Sequence, residues 1–426
     1  MSGEKWRLET EGLHAGHQPD PATGARAPPI YQTTSYVFES AAEAAARYAL
    51  AADGDIYSRI SNPTVRVLEH RLAAMHGAGG AVATASGMAA LDAATFVLAA
   101  PGDNVVTAAD IYGGTATYFR HAADRREIDA RVVNTLDEAA YREAVDENTA
   151  FVHIETIGNP TLVTPDIERI AEIAHSAGAP LLVDNTFASP ALCRPLEHGA
   201  DAVWESTTKW IHGHGTTVGG ILIDGGTFPW DADRHPEIAG QNRAYHDTVF
   251  TRDFPDAPLA AAARYRSLRT LGAAQKPFDA WTTLQGLETL SVRMERHCQH
   301  AETVADVLAD HPDVAWVSYP GRTDHETHTA ASTYLEGGYG GMISFGLTGG
   351  YEAAESLCEA TELVSFLANV GDAKSLIIHP ASTTHGQLTP EEQNEAGVTR
   401  DLIRLSVGME HPADILTDLE QAIERS

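Results

Sequence analysis

Lys209 is one of four lysines in a chain of 426 residues, the others being Lys5, Lys276 and Lys374. It lies in Glu205-Ser-Thr-Thr-Lys-Trp-Ile-His-Gly-His-Gly215, directly after the apolar run Ala200-Asp-Ala-Val-Trp204. A primary amine at the end of a buried strand loses hydration, so its neutral form is favoured and it becomes a nucleophile toward aldehydes. The hydroxyls of Ser206, Thr207 and Thr208 can hydrogen-bond a phosphate, and Gly213 and Gly215 let the backbone bend close to a ligand. An amine beside a hydroxyl cluster suits a Schiff base with a phosphorylated aldehyde such as pyridoxal phosphate. Taken alone, Ser206-x-x-Lys209 reads more simply as a surface lysine after a strand, so the chemistry rests on what accompanies it.

The elements that must position this lysine are legible in the hydrophobic pattern. Between residues 56 and 225, short β-branched runs alternate with helical ones. The runs are Gly80-Ala-Val-Ala-Thr84, Asn104-Val-Val-Thr107, Arg131-Val-Val133, Ala150-Phe-Val-His-Ile154, Pro180-Leu-Leu-Val183, Ala202-Val-Trp204 and Gly220-Ile-Leu-Ile223. This alternation predicts a mostly parallel sheet with helices on both faces, an α/β fold. Residues 1–55 read as an N-terminal arm with one helix near 40–52, of the kind that packs on another subunit. A cofactor domain is expected over 56–265, with an irregular insertion at about 225–262. A smaller C-terminal α/β domain is expected over 266–426. It follows a helical stretch from Leu259 through Met294 to Leu308 and holds Gly341-Met-Ile-Ser-Phe345, a helix near 353–360, Leu402-Ile-Arg-Leu-Ser-Val407 and a closing helix at 413–423.

Ligands of parallel α/β sheets bind outside the carboxyl ends of the strands. The residues there are Ala85-Ser-Gly-Met-Ala89 opening a helix, Tyr112 in Asp110-Ile-Tyr-Gly-Gly114, Asn159 in Glu155-Thr-Ile-Gly-Asn-Pro160, and Asp184. A helix N-terminus suits a phosphate, a tyrosine can stack on a heteroaromatic ring, and a carboxylate at a buried strand end calls for a cation. A protonated pyridine nitrogen is such a cation, and keeping it protonated makes the ring an electron sink. Singly, these residues also read as an N-cap serine, a core tyrosine, a turn asparagine and a capping aspartate.

Composition bounds the partners. With 59 acidic and 29 basic residues the net charge is −30, which repels nucleic acid and anionic membranes. The acidic, lysine-poor pattern suggests a salt-rich cytoplasm, where screening tolerates self-repulsion. Cys193, Cys298 and Cys358 contain no CxxC pair and suggest reduced thiols in a cytoplasmic protein without a metal site. Residues 1–14 are charged and give no secretory signal. The most apolar stretch, 81–100, is interrupted by Asp92 and by Ser86-Gly87, so it reads as strand-turn-helix rather than a membrane span.

In combination, Tyr57-Ser-Arg-Ile-Ser-Asn-Pro-Thr64, Ser86-Gly-Met88, Asp184-Asn-Thr186 and Ser206-Thr-Thr-Lys209 resemble the pyridoxal-phosphate enzymes of cysteine and methionine metabolism. This is the cystathionine γ-synthase group of the aspartate-aminotransferase-like fold, fold type I, and the resemblance extends over nearly the whole chain. It implies that Lys209 forms the Schiff base, Asp184 pairs with the ring nitrogen and Tyr112 stacks on the ring and aids proton transfer. It also implies that Gly87, Met88, Ser206 and Thr208 hold the phosphate, with Thr186 beside them in the Asp184 motif. Tyr57 and Arg59 would reach a neighbouring subunit's cofactor in a homo-oligomer, a tetramer built as a dimer of dimers. Arg404, helped by Asn159 and Ser375, would clamp the substrate carboxylate. Gly158-Asn-Pro160, Gln285-Gly-Leu-Glu-Thr-Leu-Ser291 and Asn369-Val-Gly-Asp-Ala-Lys-Ser-Leu-Ile-Ile-His-Pro-Ala-Ser-Thr-Thr-His385 most resemble the subgroup that combines O-acetylhomoserine with sulfide. Cystathionine γ-synthase or γ-lyase activity is the alternative. Gly114 stands where methionine γ-lyases carry a cysteine, and His212 stands where a glycine is frequent.

Overall fold

A computed structural model describes residues 6–384, 386, 389–390, 393 and 397–426, so Lys5 and His385 of the sequence motifs lie outside the described residues. The larger sheet contains β1 Gly80–Thr84, β2 Asn104–Ala108, β3 Asp129–Val133, β4 Thr149–Glu155, β5 Leu181–Asp184, β6 Ala202–Glu205 and β7 Gly220–Asp224. Their order is β1-β7-β6-β5-β4-β2-β3. Strands β3, β2, β4, β5 and β6 run parallel, and β7 is antiparallel to both β6 and β1. Every residue of β2, β4, β5, β6 and β7 is buried, as a sheet covered on both faces requires. The edge strand β3 is partly exposed and carries Asp129 and Arg131, charges that discourage pairing with another edge. This topology opens the carboxyl ends of β1, β2, β4, β5 and β6 on one side, the side expected of a ligand site.

The second sheet contains β8 Val314–Ser318, β9 Met342–Leu347, β10 Ser365–Phe366, β11 Leu376–Ile378 and β12 Leu402–Ser406, in the order β10-β11-β12-β9-β8. Its pairs are antiparallel except β10 with β11. The hydrophobic pattern locates β9 and β12, which are buried throughout, and misses β8, which is half exposed, and β10 and β11, which have two and three residues. The helix Leu290–Ala309 joins the two cores. Its Leu290, Met294 and Cys298 pack with the larger sheet, and its Ala301, Val304, Ala305 and Leu308 pack with the smaller one.

Three expectations change in detail. The helical stretch from Leu259 to Leu308 is broken: one helical run ends at Leu271, Gly272 follows with φ +88°, Ala274 bridges Thr84 of β1, and Pro277 opens the next helix. The arm contains a second helix, Leu8–His14, ahead of Ala41–Tyr48, where Ser40 Oγ accepts the Glu43 N–H at 3.1 Å as an N-cap. The insertion is built of short helices, and Asp224 at the end of β7 holds it by accepting the N–H groups of Leu259 and Ala260 at 2.7 and 3.1 Å.

One helix contact fixes the chain just after Lys209. Arg293 donates to the carbonyls of Trp210 (2.7 Å), Ile211 (3.1 Å) and Gly286 (2.7 Å). The first two carbonyls lie at a tight turn that forms no regular element and the third in the last turn of the helix Pro277–Leu287, and the guanidinium satisfies all three. Gly286, inside the helix Pro277–Leu287, lets that helix come close enough, because a Cβ there would stand 2.0 Å from the His212 carbonyl oxygen. Alanine normally stabilises a helix over glycine by about 0.5–1 kcal/mol. Here Gly286→Ala is expected to reverse that sign and cost ~1–3 kcal/mol by overpacking, lowering the thermal midpoint. An unchanged or higher midpoint in a melting experiment would contradict this packing.

Candidate active site

The carboxyl end of β6 places Lys209. Beyond Glu205 the chain turns, with the Lys209 N–H donating to the Ser206 carbonyl (3.1 Å) and the Gly213 N–H to the Lys209 carbonyl (2.7 Å). The side chain runs inward and Nζ donates to Asn369 Oδ1 at 2.5 Å. No carboxylate among the described residues pairs with it. Burial, and then the positive charge of Arg404, lower Lys209 to about 8, so a useful fraction of the amine is neutral near pH 7. The amine is therefore nucleophilic without help from a neighbouring base.

The ends of β4 and β5 carry the opposite charge. Asp184 is 5 % exposed and its Oδ1 accepts the Thr186 N–H at 2.9 Å, while Thr186 Oγ1 accepts the Ser206 N–H at 2.9 Å. Thr186 thereby joins the β5 carboxylate to the β6 turn that carries Lys209. Burial pushes Asp184 up to about 7, against the stabilising Thr186 bonds, and Glu205 adds to the rise. Beside it in register, Glu155 accepts the Tyr112 N–H at 2.6 Å and is held well above the carboxylate range by burial and then by Asp184. Neither acid forms an ion pair among the described residues. A cation delivered by a ligand would relieve this arrangement.

At the end of β1, Ser86 caps the helix Gly87–Leu98 by accepting the Ala89 N–H at 3.2 Å. Gly87 lies against Ser206, whose Cβ would be 2.8 Å from a Cβ at Gly87, so the helix N-terminus and the hydroxyl turn meet directly. Met88 follows in the first turn. Thr208 Oγ1 exchanges hydrogen bonds with Gly219 (3.0 and 3.2 Å), and the buried Thr207 hydroxyl has no partner among the described residues. Free amides, a helix dipole and hydroxyls in one place suit an anion such as phosphate. Tyr112, 47 % exposed, turns its ring over Gly114, where a Cβ would stand 2.4 Å from Tyr112 Cε1. Any larger residue at 114 would displace the ring.

A second cation sits across from Lys209. Arg404 on β12 is 7 % exposed, burial lowers it to about 10, and Nη1 donates to Asn159 Oδ1 at 3.0 Å. It has no carboxylate partner among the described residues, which leaves the rest of the guanidinium fork for an anion. The Ser375 hydroxyl is fully buried, donating to Glu410 Oε2 (2.9 Å) and accepting the Gly408 N–H (2.8 Å), so it braces the loop between β10 and β11. Tyr57 and Arg59 stand apart on the surface. The Arg59 guanidinium lies 5.4 Å from the Tyr57 ring centre and donates to the Arg269 carbonyl, and no described contact joins either residue to the Lys209 turn. His212 is buried behind that turn, with Nε2 2.7 Å from Thr216 Oγ1, and burial lowers its basicity.

Sequence reasoning brought together Lys209, Asp184, Thr186, Gly87, Ser206, Thr208, Asn159 and Arg404, and the structure gathers them around one sheet end. It missed Asn369, Glu155 and Arg293. Glu155 carries the same signal in the sequence as Asp184, an acid at the end of a buried strand without a cation beside it. Asn369 opens one of the motifs quoted above, but it lies in an irregular loop and nothing in the pattern tells that its side chain meets Lys209.

Residues 9–424 match the family model described as Cys/Met metabolism PLP-dependent enzyme. The chain is 49% identical to a homocysteine synthase of Schizosaccharomyces pombe, with all of both chains covered. It is 46% identical to an O-acetyl-L-homoserine sulfhydrylase of Thermus thermophilus, covering 98% of this chain and 100% of that one. A crystal structure of an O-acetylhomoserine (thiol)-lyase from Campylobacter jejuni that contains a pyridoxyl-lysine monophosphate superposes with a TM-score of 0.94 at 40% identity, covering 98% of this chain and 100% of the other. The chain belongs to this family, and pyridoxal 5'-phosphate is its cofactor.

The depressed basicity of Lys209 has a measurable consequence. Covalent capture of pyridoxal phosphate by the cofactor-free protein, trapped with borohydride, should quicken with pH through a midpoint of about 8. Arg404→Met removes a repelling cation and should move that midpoint upward. A midpoint near that of a free lysine, or one insensitive to Arg404, would contradict the assigned cause.

Proposed function

We propose that the enzyme catalyses γ-replacement on O-acetyl-L-homoserine, exchanging acetate for sulfide to form L-homocysteine, with methanethiol giving methionine in the same way. The observation that carries the reading is the full-length similarity to a homocysteine synthase and to an O-acetyl-L-homoserine sulfhydrylase, joined to a site that contains a largely buried amine, a buried acid and a buried guanidinium, none of them in an ion pair among the described residues.

In this reading Lys209 holds the cofactor covalently and Asp184 pairs with its ring nitrogen. Tyr112 stacks on the ring, and Gly87, Met88, Ser206 and Thr208 hold the phosphate, with Thr186 steadying Asp184. When bound, the cofactor supplies an electron-accepting ring that makes protons near the substrate amine labile. Arg404, oriented by Asn159, grips the substrate α-carboxylate with the free part of its fork, and the Ser375 loop supports that end of the site. The substrate amine releases Lys209 Nζ, which then takes the α-proton and carries protons among the α, β and γ carbons. Asn369 Oδ1 gives the amine a resting position between these transfers. Acetate departs from Cγ with Tyr112 as proton partner, and the sulfur of hydrosulfide bonds to the same carbon, so that ester and hydrosulfide become thiol and acetate.

Tyr57 and Arg59, exposed and away from their own Lys209, support an assembly in which each reaches the phosphate of a neighbouring subunit, a tetramer built as a dimer of dimers. The net charge of −30 supports a salt-rich cytoplasmic setting.

With O-acetylhomoserine and sulfide the purified enzyme should form homocysteine and acetate. Release of 2-oxobutyrate without any acceptor, or product only with cysteine as acceptor, would favour a γ-lyase or a cystathionine γ-synthase instead. Lys209→Ala should abolish turnover while the cofactor still binds noncovalently, and Arg404→Ala should raise KM strongly; activity retained by the lysine variant would refute its role. Added potassium chloride should raise the thermal midpoint by screening self-repulsion, and a midpoint that falls with salt would contradict the proposed setting.

A further inference from the structure

We propose that Glu155 works as a neutral carboxylic acid that positions Tyr112 and leaves the single negative charge of the pair on Asp184. It is a positioning residue. The proposal rests on the reading in which Asp184 meets the ring nitrogen of the cofactor.

Three adjacent strands, β4, β5 and β6, end in Glu155, Asp184 and Glu205. Each acid needs its own compensation in a site where all three are buried. Glu205 has the Asn185 amide at 2.9 Å and His76 Nε2 at 3.3 Å. Asp184 has the Thr186 N–H and, in the working enzyme, one cation from the cofactor. Glu155 has the Tyr112 N–H at 2.6 Å and no Lys, Arg or His in an ion pair among the described residues. The titratable groups that bear on it are Asp184 from β5, Asp110 from the loop after β2, and nothing cationic. One cofactor cation cannot balance two carboxylates, so the acid without a partner keeps its proton.

The protonated form also fits the hydrogen bonds. Oε1 remains an acceptor for the Tyr112 peptide, and the O–H on the second oxygen can point to Asp184, its Cα-paired neighbour across the β4–β5 ladder. Glu155 thus links the residue that stacks on the ring to the residue that pairs with the ring nitrogen. Burial and the charge of Asp184 act in the same direction on it.

Glutamine reproduces this neutral group, with a carbonyl for Tyr112 and an amide N–H for Asp184, whereas aspartate is too short to span the two. Glu155→Gln should therefore bind pyridoxal phosphate within about twofold of the native affinity at neutral pH, and Glu155→Asp should bind it about tenfold or more weakly, the equivalent of a lost hydrogen bond to a buried group. A second readout uses the cofactor-free chain. A group kept protonated in the folded state, but ionised in the unfolded state, gives stability that is lost as pH rises, so the native chain should lose melting temperature relative to Glu155→Gln between about pH 5 and 8. Glu155→Gln binding tenfold more weakly, Glu155→Asp binding like the native chain, or two melting curves a constant distance apart across that range would each overturn the proposal. Failure of the native chain itself to be trapped by borohydride would instead strike the assigned function, while the melting comparison would still decide the state of Glu155.

Discussion

The structure turns on charges that are buried before their partners arrive. Lys209 in the turn after β6, Arg404 in the middle of β12 and Asp184 at the end of β5 are largely withdrawn from water, and none has an ion-pair partner among the described residues. Isolated buried charges are costly, and a fold tolerates them only where rigid surroundings leave them no alternative. That cost is what turns an ordinary lysine into a nucleophile near neutral pH and an ordinary aspartate into a seat for a cation.

The rigidity comes from the way neighbouring strands are tied together. Thr186 joins β5 to the Lys209 turn, Arg293 fills the carbonyls after it, and Gly286 brings the helix Pro277–Leu287 close enough to hold it. The smaller sheet contributes Arg404 from β12 and Asn369 from the loop after β10, so the site exists only when both sheets are assembled. The helix Leu290–Ala309, shared by the two cores, sets their relation.

Much of this was legible in the sequence because the parallel strands are short, continuous apolar runs with distinctive residues at their ends. Asp184 and Lys209 stood out because each is a charge where the pattern demands burial. Arg293 left no mark, since it is an arginine in a helix whose partners are carbonyls remote in sequence, and Asn369 showed only as part of a motif, since an aperiodic loop does not tell which side chain it faces. The break at Gly272–Lys276 is marked in the sequence by Gly272 and Pro277, a helix stop and a helix start that the apolar residues on both sides outweighed in the reading. Ser375 shows the limit of motif reading: its hydroxyl is committed to Glu410 and Gly408.

The central claim is a covalent bond between the cofactor aldehyde and the amine at position 209. The most direct test is hydride reduction of the loaded enzyme followed by peptide mass spectrometry. The account predicts a single pyridoxyl adduct on the peptide containing Lys209, and an adduct on Lys276 or Lys374, or none at all, would contradict it.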